Sequence, residues 1–222
     1  MPLRLEDTRS GERRTVRPRS GRSVTLYVCG PTVYDRAHVG HARTYLFFDV
    51  VRRFLVAEGQ PVRHVMNVTD FEDKIDKRAA ELDLSWRALA RREEAGFFRD
   101  LGAFGVLPPH ACPRASDYAP QIVRVAESLA KTGRVRREGD LWIYSPPERA
   151  AGGNFPTDAD FARHAVEEPD HPFPRREGAL GEFVIWKRQN PPLPSWTSCW
   201  GRGSPGWHRG RRQGGPADRC GS

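Results

Sequence analysis

The sequence predicts an α/β fold, and three consecutive segments carry this prediction. The apolar run VTLYVC at residues 24–29 ends at Gly30, as a buried strand does when it meets a turn. Apolar residues then recur at helical spacing over residues 42–56, and Gly59 follows as a C-terminal stop. A second strand, PVRHVMNVT, is predicted over residues 61–69. Strand, helix and strand in this order form a βαβ unit with parallel strands.

Later segments continue the alternation of helices and strands. A hairpin is predicted where RVRREGDLWIYSP alternates around a Glu-Gly-Asp turn, and a strand at GEFVIWK. The amphipathic pattern before the hairpin predicts a helix that Gly133 closes. The helices are predicted over residues 70–82, 85–101 and 118–131, the hairpin over 134–146 and the strand over 183–186.

Two segments lack a periodic pattern. Residues 146–182 are rich in proline, glycine and charge, as expected of an irregular insertion. Beyond Gly201 the chain is rich in glycine and arginine, and Trp207 is its only large apolar residue. This composition predicts disorder, because almost nothing is available to bury.

Size and charge limit the class of protein. The 222 residues suffice for one large or two small domains with a core. The formal net charge of +8 makes polyanions such as nucleotides or RNA candidate partners, although a generally arginine-rich composition is an alternative explanation. Four widely spaced cysteines are too few for a disulfide scaffold. With no long apolar run and no apolar signal core at the N-terminus, we expect no membrane partner and a cytoplasmic location.

The sequence His38-Val39-Gly40-His41 stands at the predicted start of the first helix. Helix N-termini attract phosphates, because they carry free N–H groups and the positive end of the dipole. Positions i and i+3 share one helix face, so both imidazoles can face one ligand, and Gly40 lets that ligand approach the backbone. The pattern favours phosphoryl or adenylyl chemistry. Histidines that merely cap the helix are the alternative for this pattern taken alone.

Around these histidines, the chain resembles the cysteinyl-tRNA synthetases, which are class I aminoacyl-tRNA synthetases. The residues from His38 to His41 resemble the HIGH signature of that family, with valine in second position. The resemblance implies a Rossmann-like class I synthetase catalytic domain: the HIGH half with an inserted segment, truncated before the second half. The matching stretches are YVCGPTVYDRAHVGHARTYLFFDVVRRFL, GQPVRHVMNVTDFEDKIDKRA, GEFVIWK and PSWTSCWGRGSPGWH.

The resemblance also implies an activity and its partners. The family activates L-cysteine with magnesium-bound ATP to cysteinyl-adenylate and transfers the cysteine to tRNA(Cys). It implies catalytic and ATP-binding roles for His38, Gly40 and His41, with Gly30 also binding ATP. It further implies cysteine-binding roles for Cys29, Thr32, Thr69 and Trp207.

In this family a zinc ion binds the substrate thiolate, and Cys29 matches its first protein ligand. Zinc favours thiolate over a hydroxyl, which explains discrimination against serine. The alternatives are a buried strand cysteine at Cys29, a turn hydroxyl at Thr32 and a helix-capping hydroxyl at Thr69.

The resemblance divides the chain into four parts. Residues 1–117 correspond to the N-terminal half of the catalytic domain and residues 118–182 to the inserted segment. Residues 183–208 begin the returning catalytic half, and residues 209–222 form a divergent tail predicted to be disordered.

The chain departs from the family pattern after His208. Arg211 stands where the family has its second zinc-binding cysteine, and a cation cannot be a metal ligand. The remaining zinc ligands, the KMSKS loop and the anticodon-recognition domain of the family would come later still. We therefore expect a truncated or frame-disrupted copy that, as 222 residues, binds zinc weakly and shows little or no cysteine activation.

Two alternatives remain open. The mycothiol cysteine ligase shares this scaffold and joins cysteine to an amino-sugar. That family tends to carry proline where this chain has Val33, which favours the tRNA enzyme, but the sugar ligase needs no anticodon domain, which weakens this preference. The other alternative is a degenerate, non-catalytic half-domain that binds nucleotide or RNA.

Overall fold

A computed structural model of the chain describes residues 2–7, 10–19, 21–146 and 182–206. The chain forms two compact units, Met1–Tyr118 and Ala119–Ser222. The finer division predicted from the family resemblance stays a prediction.

The first unit opens with an antiparallel hairpin that the sequence analysis did not predict. Strand β1 (Arg4–Asp7) pairs with strand β2 (Glu12–Thr15), from Arg4 opposite Thr15 to Asp7 opposite Glu12. Both strands are mostly charged and exposed, so they lack the apolar alternation that marks a strand.

The predicted βαβ unit follows and is confirmed. Strand β3 (Val24–Val28) and strand β4 (Val62–Met66) are parallel, with Val24 opposite Val62 and Val28 opposite Met66. The helix between them, α1 (Val39–Ala57), begins three residues before the predicted start at Ala42. Its first residue, Val39, is exposed and is followed by Gly40 and His41, so hydrophobic spacing alone does not mark its beginning.

Two further α-helices of the first unit agree with the prediction. They are α2 (Asp73–Glu81) and α3 (Trp86–Ala103), and the Ser85 side chain caps α3 by accepting from the Ala88 N–H at 3.2 Å. Apolar clusters hold the unit together. One contains Val28, Tyr45, Met66, Phe97 and Leu101. A second contains Val33, Val68, Ile75, Ala79, Trp86, Leu89 and Ala90.

In its described residues, 119–146 and 182–206, the second unit combines one helix with a five-stranded sheet whose pairs are all antiparallel. The helix is α4 (Ala119–Ala130), and the strand order is β5-β6-β7-β9-β8. Trp142 and Trp186 are fully buried and cluster with Trp200 and with apolar residues of α4. The strands are β5 (Val135–Glu138), β6 (Leu141–Tyr144), β7 (Phe183–Arg188), β8 (Trp196–Ser198) and β9 (Gly201–Ser204).

The prediction of disorder from Gly201 onward is wrong for the residues of β9. Strand β9 pairs with both β7 and β8. A Cβ atom on Gly203 would lie 2.2 Å from the Lys187 carbonyl oxygen and 2.8 Å from Trp186 Nε1. Here glycine permits close packing instead of signalling disorder. Residues 147–181 and 207–222, with most of the predicted insertion and the predicted tail, lie outside the described residues.

Among the helices of the described ranges, none combines the length and the apolar character that crossing a membrane would require.

Candidate functional site

The first turn of α1 is held by its two histidines. His38 is the N-cap residue, with extended backbone, and its Nδ1 accepts the Gly40 N–H at 3.1 Å. The Nδ1 of His41 accepts the N–H of His38 at 3.2 Å, and the ring centroids are 4.1 Å apart. This reciprocal arrangement is a capping box, which satisfies two N–H groups that a helix N-terminus otherwise leaves free.

The capping bonds define the protonation of both rings. A nitrogen that accepts from a backbone N–H must carry a lone pair, so each neutral ring holds its proton on Nε2. Burial lowers the pKa of His41, and the neighbouring His38 lowers this pKa further, which favours the neutral ring. Each histidine therefore keeps one Nε2–H donor that the cap does not use. Capping and ligand binding, set against each other in the sequence analysis, are compatible.

Gly40 gives room to the ring of His38. A Cβ atom at this position would lie 2.8 Å from Cε1 and 3.0 Å from Nδ1 of His38. The sequence predicts that a ligand approaches the backbone at Gly40, whereas in the structure the imidazole of His38 occupies the space beside it. Glycine at this position is thus a condition for the capping geometry.

The turn after β3 approaches the end of β4 very closely. A Cβ atom on Gly30 would lie 1.5 Å from the carbonyl oxygen of Asn67, so only glycine fits. Cys29 lies just beyond β3 and is exposed, with its thiol sulfur 3.9 Å from the Gly30 carbonyl oxygen. The alternative of a buried strand cysteine is therefore wrong.

Thr32 and Thr69 are neighbours across this edge. They form an isolated parallel bridge, in which the Thr69 N–H donates to Pro31 O at 3.0 Å and the Val33 N–H to Thr69 O at 3.1 Å. The N-cap of the next helix is Glu72, so Thr69 is not its capping residue. The parallel pairing thus continues beyond the carboxyl ends of β3 and β4, where it brings the two threonines together.

Three residues that were not predicted from the sequence position this edge: Asn67, Tyr27 and Tyr45. The Asn67 side chain accepts through Oδ1 from both the Gly30 N–H and the Tyr27 hydroxyl, each at 2.9 Å. The Tyr45 hydroxyl donates to the Cys29 carbonyl oxygen at 3.2 Å. The available signal was a polar residue at the carboxyl end of a predicted parallel strand, where α/β folds place their ligands.

The predicted zinc site can be tested on the residues that the structure describes. Those residues contain no group of three His, Cys, Asp or Glu side chains that could hold a metal ion. A structural zinc site needs four protein ligands, and a catalytic one needs three. The described residues do not fit a zinc centre, and a ligand role for Cys29 stays a prediction. Trp207, predicted to line the cysteine pocket, lies outside the described residues.

A parallel βαβ unit whose helix opens with a His-x-Gly-His turn is the arrangement expected of the class I aminoacyl-tRNA synthetases. Residues 15–210 match the family described as "tRNA synthetases class I (C) catalytic domain". The chain belongs to this family, and both the predicted α/β fold class and the predicted resemblance are confirmed.

Curated relatives share this similarity. The chain is 39% identical over 205 residues to the cytoplasmic cysteine–tRNA ligase of Dictyostelium discoideum, covering 85% of this chain and 30% of the relative. It is 39% identical over 217 residues to the cysteine–tRNA ligase of Anaeromyxobacter sp. (strain Fw109-5), covering 94% of this chain and 43% of the relative. It is 40% identical over 214 residues to the L-cysteine:1D-myo-inositol 2-amino-2-deoxy-alpha-D-glucopyranoside ligase of Thermomonospora curvata, covering 94% of this chain and 50% of the relative. The chain thus spans half or less of the length of these relatives.

Proposed function

We propose that the chain binds ATP and L-cysteine as the nucleotide-binding part of a cysteine–tRNA ligase. Such an enzyme converts cysteine and ATP to cysteinyl-adenylate and pyrophosphate and then transfers the cysteine to tRNA(Cys). The observation that carries the proposal is the pair of histidines at the N-terminus of α1. This helix follows β3 in the βαβ unit, in which β3 and β4 are parallel. A cytoplasmic location is part of the proposal.

The proposed role of the histidines is to stabilise phosphate charge. In the activation step, the cysteine carboxylate oxygen attacks the α-phosphorus of ATP, forming an O–P bond while pyrophosphate leaves with the electron pair. Negative charge develops on the phosphate oxygens. Donors that are already in position lower the barrier, because they need no reorganisation during the reaction. The cap holds His38 and His41 in this way and leaves each Nε2–H for a phosphate oxygen.

The proposed amino-acid pocket is the edge formed by Cys29, Thr32 and Thr69. The Asn67 side chain and the parallel bridge fix the backbone of this edge, so its polar groups are positioned before a substrate arrives. Pre-organisation of this kind reduces the entropic cost of binding. Cys29 is the described residue for which a zinc-ligand role is proposed, and no step of the reaction is assigned to a zinc ion, because the described residues do not complete a zinc centre.

An amino-sugar is the second candidate acceptor, because one relative is named as a ligase of that substrate class. tRNA is the acceptor proposed first because of the residue at position 33, Val33. Its N–H donates to the Thr69 carbonyl oxygen at 3.1 Å, and proline, which the amino-sugar ligases tend to carry here, has no N–H to donate.

The first experiment measures ATP binding by calorimetry and cysteine-dependent ATP–pyrophosphate exchange. We expect ATP binding that weakens when both histidines are replaced by serine. Exchange with cysteine, but not with serine as the substrate, would support the full activation step in these 222 residues. ATP binding without exchange agrees with the little or no activation expected from the sequence and leaves the non-catalytic alternative open. ATP binding that the double replacement leaves unchanged would contradict the proposal.

The second experiment identifies the acceptor. The chain is incubated with labelled cysteine, ATP and either tRNA(Cys) or the inositol amino-sugar, and the labelled product is separated. Transfer to tRNA supports the ligase proposed, whereas transfer to the amino-sugar alone would replace it with the second candidate.

A further inference from the structure

A short basic segment lies between the N-terminal hairpin and β3. Residues 10–23, which include strand β2, contain five arginines against one glutamate, a net charge of +4. Three of these arginines follow β2 and are exposed: Arg17, Arg19 and Arg22. We refer to these three arginines as the basic segment.

The charge of the basic segment is not neutralised by the described part of the protein. Arg14, in the preceding strand, has carboxylate partners in Asp7 at 3.4 Å and Glu12 at 4.0 Å. In α3, Arg91 and Arg92 pair with glutamates. The three arginines of the basic segment form no ion pair with any described residue, so their guanidinium groups are available to a ligand.

The fold holds the beginning of this segment in place. The Val16 N–H donates to the Leu3 carbonyl oxygen at 2.9 Å, and the Val16 side chain packs against the core formed by Val24, Val51, Leu55 and Val62. Val16 and Pro18 are half-buried, whereas Arg17 and Arg19 are exposed.

This alternation places both arginines on the outer side of an anchored chain, and Pro18 restricts the backbone of Arg17 to extended conformations. In an extended chain, positions i and i+2 are about 6.6 Å apart. Ordering the segment on a ligand therefore costs less entropy than ordering a free tail.

A row of arginines without exposed apolar neighbours suits a phosphate backbone. Guanidinium groups bind phosphate through paired N–H donors, and binding to a membrane surface would favour apolar side chains beside the charges. The one apolar side chain between Arg13 and Arg19 besides Pro18 is Val16, which packs inward.

We propose that the basic segment binds the phosphate backbone of tRNA, at a site separate from the histidine turn. The choice of tRNA over other RNA rests on the proposed function.

The test compares two triple variants that remove equal charge. One is R17Q/R19Q/R22Q, and the control is R99Q/R124Q/R134Q, which replaces three other exposed arginines without ion-pair partners among the described residues. Binding of a fluorescent tRNA transcript is measured by anisotropy between about 50 and 200 mM salt. Each lost phosphate contact lowers the slope of log K against log salt by about 0.7–0.9.

We expect the basic-segment variant to lose about two units of this slope and to bind tRNA about tenfold or more weakly at the lowest salt. The control should bind as the unchanged chain does, and R17K/R19K/R22K should retain most of the slope. An unchanged slope in the glutamine variant, or an equal loss of slope in the control, would each overturn the inference.

Cysteine-dependent exchange and ATP binding, measured in parallel without RNA, distinguish this inference from the proposed function. If exchange or ATP binding is normal and the glutamine variant keeps the salt slope of tRNA binding, the proposed tRNA site is rejected and the proposed function stands. Loss of slope in a chain that binds no ATP would reject the proposed function and leave the RNA site supported.

Discussion

At the N-terminus of α1, each histidine ring offers one nitrogen to the backbone and keeps the other for a ligand. The Nδ1 atoms accept from Gly40 and His38, which places the protons on Nε2. Capping contributes to the stability of the helix, whereas the Nε2–H groups are proposed to bind phosphate. Substitutions that keep one property and remove the other can separate the two roles.

Replacing His38 by serine or alanine makes this separation. Both variants lose the Nε2–H donor and should weaken ATP binding by about ten- to a hundredfold, as expected for a hydrogen bond to a charged group. Serine still caps the helix, so His38→Ala should have a free energy of unfolding about 1 kcal/mol below that of His38→Ser. Urea unfolding and calorimetric titration measure the two effects. Wild-type ATP affinity in His38→Ser would refute the phosphate role.

Asn67 is the second residue whose role can be measured. Replacing it by alanine removes the acceptor of the Gly30 N–H, which is part-buried, and should lower the free energy of unfolding by about 1–2 kcal/mol. Tyr27→Phe is the matched control, because it removes only the second hydrogen bond to Asn67, from a largely exposed ring. Denaturant titration compares the two variants. If Tyr27→Phe costs as much as Asn67→Ala, the asparagine acts through the tyrosine and not through the turn.

At the scale of the elements, Gly40 in α1 and Gly96 in α3 have different surroundings. Gly96, in the middle of α3, would bring a Cβ atom only to 3.5 Å from the flexible end of Arg99. Gly40, in the first turn of α1, would press a Cβ atom against the His38 ring. The same substitution therefore has different consequences in the two helices.

Gly96→Ala should raise the free energy of unfolding by about 0.5–1 kcal/mol, because alanine restricts the unfolded chain and fits the helix. Gly40→Ala should raise the free energy of unfolding by less, because the added methyl group displaces the capping ring of His38. It should also weaken ATP binding, whereas Gly96→Ala should not. Thermal unfolding and ATP titration of both variants provide the check. Unaltered ATP affinity in Gly40→Ala would show that the ring position does not matter.

For the molecule as a whole, buried histidines make stability depend on pH. The ring of His64 is buried, and neither of its nitrogens has a hydrogen-bond partner among the described residues. Burial lowers the pKa of His64, and Arg52 and His110 lower it further against the opposing effect of Asp49. The unfolded chain therefore takes up this proton at a higher pH than the folded chain does.

The free energy of unfolding should accordingly fall as the pH drops below about 6.5, by at most about 1.4 kcal/mol per pH unit from His64. His64→Leu should reduce this slope and keep or increase stability at neutral pH, because no unpaired ring nitrogen is then buried. Urea unfolding of both proteins at several pH values between about 5 and 7 tests this expectation. An unchanged slope in His64→Leu would assign the pH dependence to other groups.

The sequence by itself determined the elements that show a periodic pattern and the family to which the motifs point. The βαβ unit, the helices α2 to α4 and the β5–β6 hairpin follow from hydrophobic spacing, because burial of one face imposes a period of two or 3.6 residues. The histidine turn, Gly30, Cys29 and the two threonines were also found in the sequence, since they carry a family motif.

Only the tertiary structure decided how these residues act. Asn67 meets Gly30 across 37 positions of sequence, and Gly203 packs against Trp186. The charged hairpin β1–β2 has no hydrophobic pattern by which it could be recognised in the sequence. The sequence also does not indicate that Nδ1 is the capping atom of each histidine. Local spacing records which face of an element is buried. The partner of each polar atom is set by approaches between distant segments, which only the folded chain brings together.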